Sequence, residues 1–117
     1  KVCQTGFHLP SDDEWTILTT SLGGETIAGG KLKESGTTLW KSPNTGANNE
    51  IAFTALPGGC SDYDGTFRYI GEGGGWWSST EGSAKGAYHR GMDYRNSIVD
   101  RGHFNKQCSF SVRCLKD

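Results

Sequence analysis

Residues Gly73–Asp93 read GGGWWSSTEGSAKGAYHRGMD. Three glycines open the stretch, two adjacent tryptophans follow, and small, polar and aromatic residues then mix without a helical repeat. As a strand, its successive side chains point to opposite faces. One of Trp76 and Trp77 therefore packs into a core and the other points out. The outward one would form a recognition face with Tyr88, His89 and Arg90; the sequence leaves open which of the two it is, and Trp77 is taken as the candidate ligand contact. Indole and phenol rings are large and rigid, and their polar tips suit sugars and protein surfaces.

Outward from this stretch, a small loop at residues 81–85 leads to three short expected strands, Gly86–Asp93, Ser97–Asp100 and Cys108–Leu115. Upstream, Asp64-Gly65 predicts a hairpin turn between strands at Cys60–Tyr63 and Thr66–Ile70, with Phe67 and Tyr69 sharing a face. Ser61–Gly65 also looks like the start of a calcium loop, but it lacks the third oxygen ligand and the distant Glu. Ile51–Leu56 reads as a strand ended by Pro57-Gly58-Gly59. Trp40 is expected to pin the turn-rich Thr38–Asn49 loop to the core. Nearer the N-terminus, Ser11 and Glu14 make a capping box, and Asp12 and Asp13 suit the positive end of the helix dipole. Trp15, Leu18 and Leu22 fall on one helical face, and Gly23-Gly24 stops the helix. A weaker helix over Glu25–Glu34 would be anchored by Ile27 and Leu32. One firm helix followed by short strands and frequent turns predicts an α+β domain with an antiparallel sheet.

The chain has 117 residues and a formal net charge of −1, which fits one domain. Leu, Ile, Val and Phe number only 20. The near-zero charge and the aromatic content (4 Trp, 4 Tyr and 5 Phe) argue against disorder all the same. No basic patch invites nucleic acid, and no apolar run reaches membrane-spanning length. The abrupt start at Lys1-Val2-Cys3 reads as a trimmed or mature product. Cys3, Cys60, Cys108 and Cys114 predict two disulfides and an oxidising compartment. Six steps along a strand span roughly 20 Å, while a disulfide needs Cα atoms within about 7 Å. This removes Cys108–Cys114. Two pairings remain: Cys3–Cys114 with Cys60–Cys108, or Cys3–Cys108 with Cys60–Cys114.

Several stretches together resemble the Fibrobacter succinogenes major paralogous domain: GFHLPSDDEW (Gly6–Trp15), AGGKLKESGTTLW (Ala28–Trp40), SPNTGANNEIAFTALPGG (Ser42–Gly59), WWSSTE (Trp76–Glu81) and SFSVRCLKD (Ser109–Asp117). The resemblance covers nearly the whole chain. It implies a C-type-lectin-like fold on secreted or surface-anchored bacterial proteins. It favours pairing Cys3 with Cys114, with Cys60–Cys108 as an extra staple. It also places Ala84–Gln107 where related variable proteins display binding residues, a segment holding Tyr88, His89, Arg90, Tyr94, Arg95, Asn96, Arg101 and His103. Members carry a first strand before the His8-Leu9-Pro10 motif, and this chain has almost none of that sequence. Calcium lectins of the fold use Glu-Pro-Asn or Gln-Pro-Asp with Trp-Asn-Asp. Here Ser42-Pro43-Asn44 stands alone, so no metal or other cofactor is expected.

No nucleophile–base pair stands out, and the carboxylates are explained by capping and turns, so catalysis is not expected. The expected function is a secreted or cell-surface binding or adhesion module, showing an aromatic and arginine-rich face to a glycan or protein ligand. The alternative is a structural subunit of an extracellular assembly, completed at an open sheet edge by a neighbour's strand.

Overall fold

The computed structural model describes all 117 residues, Lys1–Asp117. Helix α1 (Asp12–Ser21) begins where the capping chemistry places it. The Ser11 hydroxyl accepts from the Glu14 N–H at 3.1 Å, and the Glu14 carboxylate accepts from the Ser11 N–H at 2.9 Å. Trp15 and Leu22 enter the core with Leu18 packed beside them, and Gly23 and Gly24 take left-handed backbone that ends the helix. Helix α2 (Glu25–Leu32) follows at once. Leu32 anchors it as expected, but Ile27 faces solvent and Ala28, Gly29 and Gly30 are buried instead. A Cβ on Gly30 would stand 2.5 Å from the Gly46 carbonyl oxygen, and one on Gly29 would stand 2.5 Å from that of Ile98. The glycines that weaken this helix are thus what lets two loops lie directly against it.

The main sheet is antiparallel in the order β4 (Gly73–Ser83), β5 (Gly86–Asp93), β6 (Asp100–Asn105). Trp76 lies opposite Arg90, and Trp77 opposite His89. The helices cover one face of this sheet. Trp76 and Met92 pack there with Trp15, Leu32, Trp40 and Val99. Trp40 is buried as expected and donates its indole N–H to the Ala55 carbonyl at 3.0 Å. Beneath the loops, the buried Lys33 ammonium donates to the carbonyls of Thr45, Asp93 and Asn96 at 2.9–3.0 Å. Two short antiparallel ribbons complete the fold. β1 (Phe7–His8) pairs with β7 (Leu115–Lys116), and β2 (Cys60–Ser61) pairs with β3 (Phe67–Arg68). The architecture is therefore α+β, with two helices and several small antiparallel sheets. No helix is long and apolar enough to cross a membrane.

Several expectations need correction. Ile51–Leu56 is not a strand: Ala52 and Thr54 take left-handed backbone, and only Ala55 makes a bridge, to Lys33. Ser97–Asp100 is not one either. The Asn96 side chain accepts from the Ile98 N–H in a tight turn, and the strand starts at Asp100. The Cys108–Leu115 segment, despite its alternation, is held by single bridges, Ser109 to Ser61 and Ser111 to Trp76, before β7 begins. The Asp64-Gly65 hairpin forms but is shorter than expected, because Tyr69 turns left-handed (φ 66°) and leaves the strand. Cys3 and Cys114 are bonded, with Cα atoms 5.8 Å apart. Cys60 and Cys108 are free thiols. Mutual backbone bonds between Ser61 and Ser109 (3.1 and 2.9 Å) join their segments instead.

Candidate binding groove

Alternation along the sheet sorts the candidate residues onto two faces. On the helix side, Arg90 is fully buried and donates to the Asp12 carboxylate at 2.5 Å, to the Asp12 carbonyl and to the Thr16 hydroxyl. Arg101, opposite it on β6, donates to both Asp12 carboxylate oxygens at 2.8–3.1 Å. Hydrogen bonds from Arg101, and then Arg90, hold the Asp12 carboxyl below its ordinary pKa. The Arg101 guanidinium also stacks 4.1 Å from the Tyr88 ring, and His103 stands edge-on to Tyr88 at 5.4 Å. Arg90 is therefore an interior cation of the frame rather than a surface contact, and Tyr88 and His103 form a separate cluster on that side.

The other sheet face carries no helix. His89 lies there between Phe104 (4.4 Å) and Phe110 (4.6 Å), with Trp77 against Phe110 at 4.8 Å. This aromatic cluster closes one end of the face. Beyond it the floor is glycine: Gly73 and Gly75 from β4, Gly91 from β5 and Gly102 from β6. With no side chains on the floor, a groove of about 850 Å³ remains, inside the ~300–1,000 Å³ range of small-ligand sites. One wall is the β2–β3 ribbon with Cys60, Asp62, Arg68 and Tyr69, and the opposite wall is the turn at Asp93, Tyr94 and Arg95. Phe110 and Cys108 come in from the C-terminal segment.

The groove's wall arginines are matched by carboxylates, while Asp100, opposite Gly91, lines it without an ion pair. Asp62 takes Arg68 at 2.7 Å, Asp93 takes Arg95 at 2.9 Å, and Glu72 takes Lys41 at 2.6 Å. The Arg95 hydrogen bond lowers the Asp93 pKa and raises that of Arg95, while burial raises the Cys60 thiol. Arg101 borders the groove, but its guanidinium turns to the helix side, where Asp12 engages it. Burial lowers the His89 imidazole below its ordinary value. Its Nδ1 is buried without a partner, and its Nε2 lies 3.5 Å from where a Gly91 Cβ would sit. No group of three or more His, Cys, Asp or Glu side chains is placed to hold a metal ion.

Of the candidates, His89, Tyr94 and Arg95 line the groove, and Arg101 borders it with its side chain on the helix side. Trp77 supports it through Phe110 and faces a second, smaller recess with Val2, Leu9 and Val112. Asn96 serves the turn before β6. Sequence reading did not find the glycine floor, the Asp62–Arg68–Tyr69 wall or the Phe104–Phe110 end. The glycines carried a signal in Gly73-Gly74-Gly75, but only strand pairing shows that Gly91 and Gly102 extend the same floor.

No curated protein and no solved structure matches the chain. The family described as the Fibrobacter succinogenes major domain matches residues 1–116. The match spans all but the last residue of the chain, and the chain belongs to that family.

Proposed function

We propose that this is a non-catalytic binding module of C-type-lectin-like architecture, working at the bacterial cell surface or in secreted form, and that its groove takes a neutral glycan. The carrying observation is the groove itself: a glycine floor, aromatic rings at one end, and walls whose arginines, Arg68 and Arg95, are already matched by carboxylates. Such walls have no spare cation for a phosphate or sulfate. They do present many fixed donors and acceptors, which suits hydroxyl groups. The His89 ring adds a polar contact on the floor, and burial disfavours its charged form. The Cys3–Cys114 bond fits an oxidising compartment.

Gly91 provides the test. Its backbone is not left-handed, and a Cβ there meets nothing closer than 3.5 Å, so a side chain fits the strand and projects into the groove. Gly91→Val is expected to keep the melting temperature of the wild type. It should weaken binding to neutral oligosaccharides by about tenfold or more, equivalent to ~1.4 kcal/mol, measured by titration calorimetry. A wild-type protein that binds no member of a neutral glycan panel would overturn the reading.

A further inference from the structure

We infer that Tyr69 is a stacking platform at the mouth of the groove, and that the occupant is an extended oligosaccharide running from the glycine floor out over this ring. The inference rests on the glycan reading above and specifies the length of the ligand.

The first observation is conformational. Tyr69 is a non-glycine residue held at φ 66°, a region that costs free energy for an L residue with a bulky side chain. The conformation is built in rather than incidental. The Tyr69 carbonyl accepts from both the Glu72 and Gly73 N–H groups at 2.9 Å. Below it Gly59, itself left-handed, has no room for a side chain: a Cβ there would stand 2.9 Å from the Ile70 nitrogen. The second observation is that the ring does nothing for the fold. Its residue is 59 % exposed, it stacks on no other ring, and its hydroxyl makes no hydrogen bond within the protein. A strained backbone that presents an unpacked ring is explained by something outside the fold that uses the ring. The third is position. Tyr69 lines the groove, while Phe67 and Ile70 beside it are 71 % and 67 % exposed and continue the apolar surface beyond the groove's rim.

A flat phenol face matches the apolar face of a pyranose ring, and its hydroxyl tip stays in water. One sugar on the glycine floor leaves Tyr69 uncovered at the rim, so a second ring is what reaches it. A protein partner would also cover exposed aromatics, but the paired arginines and side-chain-free floor next to Tyr69 favour a narrow polyol chain.

The test uses the intact chain and neutral oligomers of glucose, mannose, galactose and N-acetylglucosamine, each from one to six rings. Affinity is expected to rise about tenfold or more from one ring to three or four, as a well-placed aromatic anchor gives. Tyr69→Gly should remove that gain, leaving an affinity that no longer rises with the number of rings. Because glycine adopts the left-handed backbone freely, this variant should melt at or above the wild-type temperature. Tyr69→Trp should restore the dependence on length. Equal affinity for one and six rings, or a Tyr69→Gly protein that binds long oligomers as the wild type does, would overturn the inference and leave the groove reading standing. So would a clear drop in melting temperature for Tyr69→Gly, since the ring would then be serving the fold. A wild type that binds no oligomer of any length overturns both.

Discussion

Asp12 looks on the sequence like one of several acidic residues at a helix start. In the fold its single carboxylate holds two arginines from two different strands. Arg90 depends on it, since this guanidinium is fully buried and its Nε has no partner at all. Removing one partner of a buried pair leaves an uncompensated charge. Asp12→Ala should therefore cost about 3–5 kcal/mol of stability, read by chemical denaturation. Asp12→Asn should cost less, because it can still accept hydrogen bonds. The acid limb follows from the direction of the Asp12 shift. Its folded pKa lies below the ordinary value. The stabilisation is thus complete above the unfolded value, about pH 4, and is lost as pH falls through the folded value. The wild type should destabilise more steeply below pH 4 than Asp12→Asn does. Neither role was legible in the sequence. Arg90 reads as a surface arginine beside His89 until strand alternation turns it toward α1, and its partner lies 78 residues away in the chain.

At the scale of elements, what could be read and what could not divide along the range of the interactions. Helix α1 was legible because its signals are local: a cap, a capping partner three residues on, an apolar stripe and a glycine stop. The Ile51–Leu56 strand failed because its alternation is real while its backbone is not extended. Asn49 holds that loop instead, its side-chain carbonyl accepting from the Thr54 N–H at 2.8 Å and its amide donating to the Thr54 hydroxyl at 3.0 Å. Helix α2 shows the same division with the sign reversed. Its glycines read as weakness, and locally they are, since alanine in a helix is worth about 1 kcal/mol over glycine. Yet the Gly46 backbone sits where a Gly30 side chain would go, and backbone cannot step aside as a flexible side chain can. Overpacking of this kind costs about 1–3 kcal/mol. Gly30→Ala is expected to be net destabilising in urea titrations, and a stabilised variant would show that the loop at Gly46 is free to move. The groove belongs here too. Its floor exists only once Gly75, Gly91 and Gly102 are brought side by side by pairing, which no single stretch of sequence encodes.

For the molecule as a whole, the aliphatic poverty of the chain is offset by a core of tryptophans and by closure of the two ends. Cys3 and Cys114 enclose a sequence separation of 111 residues. In the chain-entropy description a loop of that length removes about 4–5 kcal/mol from the unfolded state, a large share of the ~5–15 kcal/mol that domains possess. A double Cys3→Ser, Cys114→Ser variant should lose stability on that scale in guanidinium titrations. Cys60→Ser should lose far less, since that thiol bonds to nothing. The same closure is reinforced without covalent chemistry. β1 pairs with β7, and the His8 ring bridges Asp117 at 2.7 Å and Glu14 at 2.9 Å.

This clasp has a mechanical consequence. A pull applied to the two ends of the domain runs through the sulfur–sulfur bond between residues 3 and 114 and bypasses the 110 residues between them. The groove, the helices and the main sheet all lie inside the shunted loop and carry no tension. A ligand held there would feel the same pocket in a slack tether and in a stretched one, and the domain would behave under load as a short inextensible link with a sheltered side branch.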